Sequence, residues 1–209
     1  MSIMSDDDFV RLFQRTFGLK EDGWAGLETV AKLRELAARA GTQVPIATTS
    51  EIPSDYWPML SKIESSDDLY ALPPINKATG FPYSSASGLY QFIKATWIGE
   101  GGQWGTDRFK AFGGLRPSAE EQLARVKTFT AKNAAYLKAK GVPINKASLY
   151  AAHFFGPVTA TAVIMADVKA SADLIAGPEA TKANASILKD KTVGQFLTWL
   201  HKKTGEWAR

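Results

Sequence analysis

A capping box at Ser118-Ala119-Glu120-Glu121 opens a long run of helical spacing and bears most directly on the fold class. The serine hydroxyl can accept a hydrogen bond from the first turn, while the glutamate three residues later reaches back to the serine amide. Apolar residues then recur at intervals of three and four as far as Lys140. No stretch of the chain shows the convincing apolar-polar alternation of a half-buried strand. We therefore predict a mainly α fold.

Similar start and stop signals predict further helices along the chain. Ser54, Asn145 and Thr192 are suitable N-cap residues, and Thr192 is followed by a glutamine at the third helical position. Three prolines, a glycine and several serines between Ala71 and Ser87 predict a long loop or a small hairpin instead. The helices are expected at about 7–17, 27–40, 54–65, 88–98, 145–155, 158–168 and 193–203.

Composition narrows the chemistry that the chain can perform. The 209 residues include no cysteine and two histidines. Disulfide frameworks, thiol nucleophiles and zinc-thiolate sites are therefore excluded, and a histidine-rich catalytic metal site is disfavoured. We expect no metal and no other cofactor. The formal net charge of +4 suits an anionic partner such as a cell-wall polymer or nucleic acid, and the scattered Lys and Arg, without a basic block, do not choose between the two. We expect no nucleic acid partner.

The chain divides by composition into three parts. Residues 1–40 contain the first two predicted helices, residues 41–53 are rich in Thr, Ser, Pro and Ile without any period and read as a linker, and residues 54–209 form the main domain. No apolar run approaches the roughly 20 residues that span a bilayer. Three aspartates stand near the N-terminus where a signal peptide would carry Lys or Arg. We expect neither membrane insertion nor a signal peptide.

Glu64 is the candidate catalytic residue. Trp57, Leu60 and Glu64 fall at i, i+3 and i+7, so the carboxylate shares the helix face that should contact the core. Burial disfavours the charged form of a carboxyl group, which suits a general acid that must keep its proton. By spacing alone, a glutamate at the helix end and the rim of the core is the commoner case.

Three segments together resemble a known enzyme family. Ile63-Glu64-Ser65, Gly88-Leu89-Tyr90-Gln91-Phe92 and Thr96-Trp97 resemble the signature of lytic transglycosylases of the soluble-transglycosylase type and their phage relatives. Ala151 to Pro157, with His153 in place of the usual tyrosine, is similar to the His-Phe-Leu-Gly-Pro variant of the phage enzymes, and 184–199 is similar to their tail.

This resemblance implies a lysozyme-like helical domain that cleaves the bond between N-acetylmuramic acid and N-acetylglucosamine in peptidoglycan. Glu64 matches the single catalytic acid of the family, which gives a 1,6-anhydro product because the muramic C6 hydroxyl replaces water as the nucleophile. The substrate acetamido group can shelter the positive centre, so a second carboxylate is not required. The resemblance implies that substrate or the acid is held by Ser65, Ser87, Gly88, Tyr90, Gln91 and His153.

Two alternatives remain open at these positions. Asp67 or Asp68 could supply a second carboxylate about one turn from Glu64 if the helix continued, and the enzyme would then be a hydrolytic muramidase. Otherwise these aspartates cap or solvate the helix end. His153, in an apolar helix, could equally be a core histidine bonded to a backbone carbonyl.

A second resemblance covers the N-terminal part. Val10 to Leu19, Asp22-Gly23-Trp24-Ala25-Gly26 and Thr29 resemble the latter half of a peptidoglycan-binding module. Asp22 and Gly23 favour a tight turn with positive φ that presents Trp24, and these three residues are the expected wall contacts. Trp24 could instead dock onto the main domain.

These features together indicate a phage-type enzyme, an endolysin or a lysin carried by the virion, with peptidoglycan as its partner. We expect a monomer that is made in the host cytoplasm and acts in the periplasm or cell wall. A non-catalytic wall-binding or virion protein on a lysozyme scaffold is the alternative from another class.

Overall fold

The structure, a computed structural model, describes residues 6–23, 28–29, 32–33, 35–36 and 51–209. It is mainly helical, which confirms the predicted fold class. Residues 28–29, 32–33 and 35–36, inside the second predicted helix, are also helical, and the rest of that segment lies outside the described residues. The helices are α1 (Asp6–Thr16), α2 (Tyr56–Ser65), α3 (Lys94–Gly99), α4 (Ala119–Ala139), α5 (Lys146–Phe155), α6 (Pro157–Met165), α7 (Ala172–Ala176), α8 (Pro178–Ala183), α9 (Ala185–Leu188) and α10 (Val193–Thr204).

The core of the main domain lies between α4, α5, α6 and α10. Helix α5 packs on the other three, and its neighbours α4 and α10 each contribute wholly buried leucines, among them Leu137 and Leu200. Local caps start these helices as predicted. The Ser118 hydroxyl accepts a hydrogen bond from the Glu121 amide at 3.2 Å, and Asn145 and Thr192 each form a complete capping box.

The segment between Ala71 and Ser87 contains the small hairpin that its turn residues predict. Strands β1 (Ile75–Asn76) and β2 (Phe81–Pro82) pair antiparallel, with Asn76 opposite Phe81. A second irregular segment follows α3 and contains a 3-10 turn at Ala111–Gly114. The two segments meet where the Phe81 and Phe109 rings pack at a centroid distance of 5.7 Å.

The helix predicted at 88–98 is wrong in its first half. Gly88 to Gln91 form a turn, closed by hydrogen bonds between Ser87 and Phe92 of 3.0 and 3.1 Å in the two directions. Gly88 has φ 74° and Gln91 has φ 46°, and left-handed residues cannot continue a right-handed helix. Helix α3 begins only at Lys94. The apolar residues after Gly88 have helical spacing, but the closed turn buries Phe92 without a helix.

The start of α2 also differs from the prediction. The helix begins at Tyr56, and Asp55, not Ser54, occupies the N-cap position without a side-chain capping bond. The Asp55 carboxylate instead accepts a hydrogen bond from Lys146 Nζ at 2.8 Å. A long-range ion pair to α5 has therefore taken the place of the local cap.

The predicted linker at 41–53 falls mostly outside the described residues. Its last residues contact the main domain, because Ile52 is buried in the core and Glu51 forms an ion pair with Lys138. Within the described ranges, no helix is both long and apolar enough to cross a membrane.

A buried ion pair joins the end of α3 to the middle of α4. Lys132 Nζ lies 2.8 and 3.0 Å from the two carboxylate oxygens of Glu100. The Glu100 side chain has no exposed surface, whereas that of Lys132 is 24% exposed. Because a carboxylate without water needs a partner of opposite charge, this pair is a structural element of the core.

Candidate active site

Glu64 lies in the last turn of α2, half-buried at the edge of the core. Leu60 on the same face is wholly buried and Trp57 is half-buried, which agrees with the predicted core-facing stripe. The helix ends at Ser65, one residue after Glu64, because Ser66 has left-handed φ and ψ of 53° and 36°. The carboxylate is therefore held by a helix that is anchored in the core, yet it stays at the boundary with solvent.

Two tyrosines and one histidine surround the Glu64 carboxylate. The charge of Glu64 acts on Tyr150 of α5, on Tyr56 of its own helix and on His153, so all three lie near it. Burial, followed by the negative charge of Glu64, holds the pKa of both tyrosines far above the ordinary value. Both phenols therefore keep their protons. In the part of the chain that the structure describes, no Lys or Arg forms an ion pair with Glu64.

Buried polar atoms without hydrogen-bond partners lie beside this group. They are the hydroxyls of Tyr56 and Thr130 and Nδ1 of His153. The Thr130 hydroxyl is close enough to lower the pKa of Tyr56, but the two are not in hydrogen-bond geometry. An unpaired polar atom in a core lowers the free energy of unfolding, and a catalytic role is one reason why such atoms are retained.

His153 holds the Gly88 turn against α5. Its Nε2 lies 3.0 Å from the backbone oxygen of Tyr90. Because a carbonyl can only accept, Nε2 carries the proton and Nδ1 has the free lone pair. Burial lowers the pKa of His153, which favours the neutral ring. The structure thus shows the bond to a backbone carbonyl that the core-histidine alternative requires.

Ser65 joins the helix that carries Glu64 to the same turn. Its hydroxyl lies 3.0 Å from the backbone oxygen of Leu89 and 3.0 Å from that of Ser61. One hydroxyl proton serves both carbonyls, so the bond to Leu89 competes with the one inside the helix. Ser65 is therefore a positioning residue, which fixes the distance between Glu64 and the turn across from it.

The other predicted binding residues build the turn itself. Gly88 has no room for a side chain, since a Cβ there would lie 2.3 Å from Gln122 Oε1. Gln91 is half-buried, and its Nε2 donates to the backbone oxygen of Gly88 at 3.0 Å. Tyr90 is 5% exposed, and burial with the charge of Asp67 raises its pKa. Ser87 is wholly buried and its hydroxyl accepts from the Phe112 amide, so its side chain offers no surface to a substrate.

Asp67 and Asp68 are engaged at the helix end. Asp67 Oδ1 accepts from the Ser61 hydroxyl at 2.6 Å, and Asp67 Oδ2 lies 3.5 Å from Lys62 Nζ. Asp68 Oδ1 accepts from the Tyr70 amide at 2.9 Å. Because α2 stops at Ser65, the continued helix that would place either carboxylate one turn from Glu64 does not exist. Both aspartates stabilise the chain reversal, as the capping alternative expects.

Two important residues were missed in the sequence. Tyr150 precedes His153 by three residues on one helix, and that spacing places both on the same face, so the pair could have been found from His153. Gln122 gave no such signal. It is wholly buried, donates to the backbone oxygens of Leu69 and Pro117 at 3.0 and 3.3 Å, and accepts from the Leu89 amide at 2.9 Å.

In the N-terminal segment, the Gln14 side chain connects the residues of the motif that resembles a peptidoglycan-binding module. The Gln14 side chain is buried, and its Oε1 accepts from the amides of Asp22 and Gly23 at 3.1 and 2.9 Å. Its Nε2 donates to the Asp22 carboxylate at 2.8 Å and to the Thr29 hydroxyl at 3.1 Å. One glutamine thus fixes the turn, in which Gly23 has φ 74°. Trp24, the third expected wall contact, lies outside the described residues.

Replacing Tyr150 by Phe tests whether its hydroxyl supports Glu64. We expect the rate of glycan cleavage to fall by about 10- to 100-fold, the value of one hydrogen bond to a charged group. The melting temperature should change by only a few degrees, because the ring and its packing remain. Tyr136→Phe on α4 is the matched control and should keep the wild-type rate. Equal rates for both variants would show that the Tyr150 hydroxyl has no part in the reaction.

The described residues contain no candidate metal site. Among residues 6–23 and 51–209 and the short helical pieces between them, no group of three or more acidic or histidine side chains could hold a metal ion. The chain matches no protein-family model, and no curated protein matches it.

Proposed function

We propose that this protein is a lysozyme-like lytic transglycosylase that cleaves peptidoglycan, with Glu64 as its one catalytic carboxyl group. The observation that carries the proposal is the environment of Glu64. A half-buried carboxyl group without a cationic partner in the described chain faces two protonated tyrosines and a neutral histidine. Such a group is not neutralised by an ion pair and lies at the boundary with solvent, as an acid that later acts as a base requires.

The reaction uses Glu64 twice. The protonated carboxyl group donates its proton to the glycosidic oxygen, the bond from muramic C1 to that oxygen breaks, and N-acetylglucosamine leaves with a free 4-hydroxyl. The Glu64 carboxylate then takes the proton of the muramic C6 hydroxyl while that oxygen bonds to C1. The 1,6-anhydro ring forms and Glu64 regains its proton.

The neighbouring groups have roles in this cycle. The Tyr150 hydroxyl lies near Glu64 and keeps its proton, so it can donate to the carboxylate form of Glu64 and stabilise that form between the two proton transfers. Ser65 fixes Glu64 relative to the turn at Leu89. Asp67 and Asp68 are bound to other groups at the helix end, which favours the one-carboxylate mechanism over the two-carboxylate mechanism of a hydrolytic muramidase.

Product analysis distinguishes the transglycosylase from the muramidase. Isolated sacculi are digested, treated with borohydride and analysed by mass spectrometry. Anhydro ends resist reduction and are lighter than reduced hydrolysed ends by one water and two hydrogen atoms, and we expect them to be the main product. Digestion in ¹⁸O-labelled water is the control, since a transglycosylase incorporates no label. Reducible, ¹⁸O-labelled ends throughout would overturn the transglycosylase mechanism and favour hydrolysis.

The N-terminal segment completes the proposal. Gln14 holds the turn at Asp22 and Gly23 through three hydrogen bonds, and we propose that this segment contacts the wall polymer through Asp22, Gly23 and Trp24. The whole protein is then a monomeric phage lysin, made in the host cytoplasm and acting on the wall during lysis or infection. Peptidoglycan is its macromolecular partner.

A further inference from the structure

Two exposed arginines lie over aromatic rings, Arg108 over Phe81 of the hairpin and Arg116 over Tyr70, which precedes the hairpin. The Arg108 guanidinium carbon is 3.8 Å from the centroid of the Phe81 ring, and Phe81 in turn packs on Phe109. The Arg116 guanidinium carbon is 4.1 Å from the centroid of the Tyr70 ring. We call Tyr70, Phe81, Arg108, Phe109 and Arg116 the arginine-aromatic surface. Phe109 is 52% exposed and both arginines are exposed, so the surface faces solvent.

The arginines of this surface are not used by ion pairs of the fold. Within the described residues, neither Arg108 nor Arg116 pairs with a carboxylate, whereas Lys110 nearby is paired with Asp107 at 3.2 Å. The cation–π contact restrains each guanidinium group, and its N–H groups have no carboxylate partner in the described chain. A held guanidinium edge matches the two oxygens of a carboxylate.

The charge of this part of the chain points to an acidic ligand. Residues 69–118 contain five basic residues and two acidic ones, a balance of +3, whereas the whole chain has +4. Glu100 is buried against Lys132, and Asp107 faces Lys110, so neither acid offsets the two arginines at the surface. The basic residues are Lys77, Lys94, Arg108, Lys110 and Arg116.

Hydrogen bonds connect this surface to the candidate active site. Tyr70 donates to the backbone oxygen of Pro117 at 3.4 Å, next to Arg116. Gln122 binds that same oxygen and the amide of Leu89, and the Leu89 carbonyl accepts from Ser65 beside Glu64. These bonds tie the Tyr70 and Arg116 part of the arginine-aromatic surface to the helix end that carries Glu64.

We propose that the arginine-aromatic surface binds the carboxylates of the peptide stems attached to the wall glycan. The inference rests on the proposed function, and it specifies the substrate as peptide-bearing glycan. The stems are acidic and branch from the muramic sugar at the bond that is cut, so they extend beside the site when Glu64 is engaged. Each guanidinium donates two hydrogen bonds to one carboxylate, and the aromatic rings contact the apolar parts of the stem.

The double variant Arg108→Gln/Arg116→Gln tests this inference. Its substrates are Gram-negative sacculi, which carry no teichoic acid, and the same glycan strands after an amidase has removed the stems. We expect kcat/KM on intact sacculi to fall about 10-fold, with no change on stripped strands, because two exposed charge pairs are lost. Lys202→Gln/Lys203→Gln, which removes two exposed charges from α10, is the matched control and should behave as wild type on both substrates.

A binding measurement separates this inference from the proposed function. Each charge variant is combined with Glu64→Gln, and its co-sedimentation with intact and stripped glycan is compared. Weaker binding to intact sacculi alone supports the inference even if the wild-type protein cleaves neither substrate, a result that would refute only the proposed function. An equal loss on both substrates, no loss on either, or the same loss in the α10 control would overturn it.

Discussion

Glu64→Gln is expected to lower the rate of peptidoglycan cleavage by about 10⁴-fold, the upper end of the range for general acid-base catalysis. The effect is large because one carboxyl group performs both proton transfers in the proposed reaction. Glutamine has nearly the same size, and its carbonyl can still accept from the Tyr150 hydroxyl. The variant should therefore fold as wild type while lacking a proton to give.

The measurement is release of soluble fragments from dye-labelled sacculi. Glu179→Gln, an exposed glutamate in the first turn of α8, is the matched control and should keep full activity. Circular dichroism and the melting temperature show whether both variants fold alike. Equal clearing by wild type and Glu64→Gln would refute the assignment of Glu64. If neither protein cleaves and both bind the wall, the non-catalytic wall-binding alternative is correct.

Lys132→Met is expected to lower the free energy of unfolding by about 3–5 kcal/mol, the cost of breaking a buried ion pair from one side. Methionine fills most of the space of the lysine stem but leaves the Glu100 carboxylate without its cation. That carboxylate has no exposed surface, so water cannot replace the ammonium group. Arg125 still donates a hydrogen bond to the backbone oxygen of Glu100, but this bond does not neutralise the Glu100 side chain.

Urea denaturation of two further variants makes this prediction specific. Lys138→Met, on the same helix, breaks the pair with Glu51, in which the lysine is 54% exposed, and should cost at most about 1 kcal/mol. Lys132→Met/Glu100→Leu removes both buried charges and should recover most of the stability that the single variant loses. If Lys132→Met costs no more than Lys138→Met, the buried pair contributes little to the fold.

Local signals allowed much of the helical framework to be predicted. The starts of α4, α5 and α10 follow from Ser118, Asn145 and Thr192, because an N-cap depends on only the next three residues. The hairpin between Ala71 and Ser87 follows from its turn residues in the same way. The start of α2 could not be predicted, because the Asp55 side chain pairs with Lys146, far along the chain.

The Gly88 turn illustrates why the candidate site was predicted only in part. Leu89, Phe92 and Ile93 have helical spacing, which favoured a helix from Gly88. In the structure the close contact of Gly88 with Gln122 and Phe112 and the bond from His153 to Tyr90 stabilise a closed turn instead. Those partners come from α4, α5 and the loop before them, so no window of neighbouring residues contains the information.

The sequence by itself determined the helical class of this protein, the capped starts of its core helices and the placement of Glu64 on a core-facing helix stripe. These properties depend on residues within one or two turns of each other. Only the tertiary structure decided what surrounds Glu64: Tyr56 from its own helix, Tyr150 and His153 from α5, and the turn at Leu89 bound by Ser65. The reason is physical, since the packing of distant helices and loops, and not spacing along one helix, brings these side chains together.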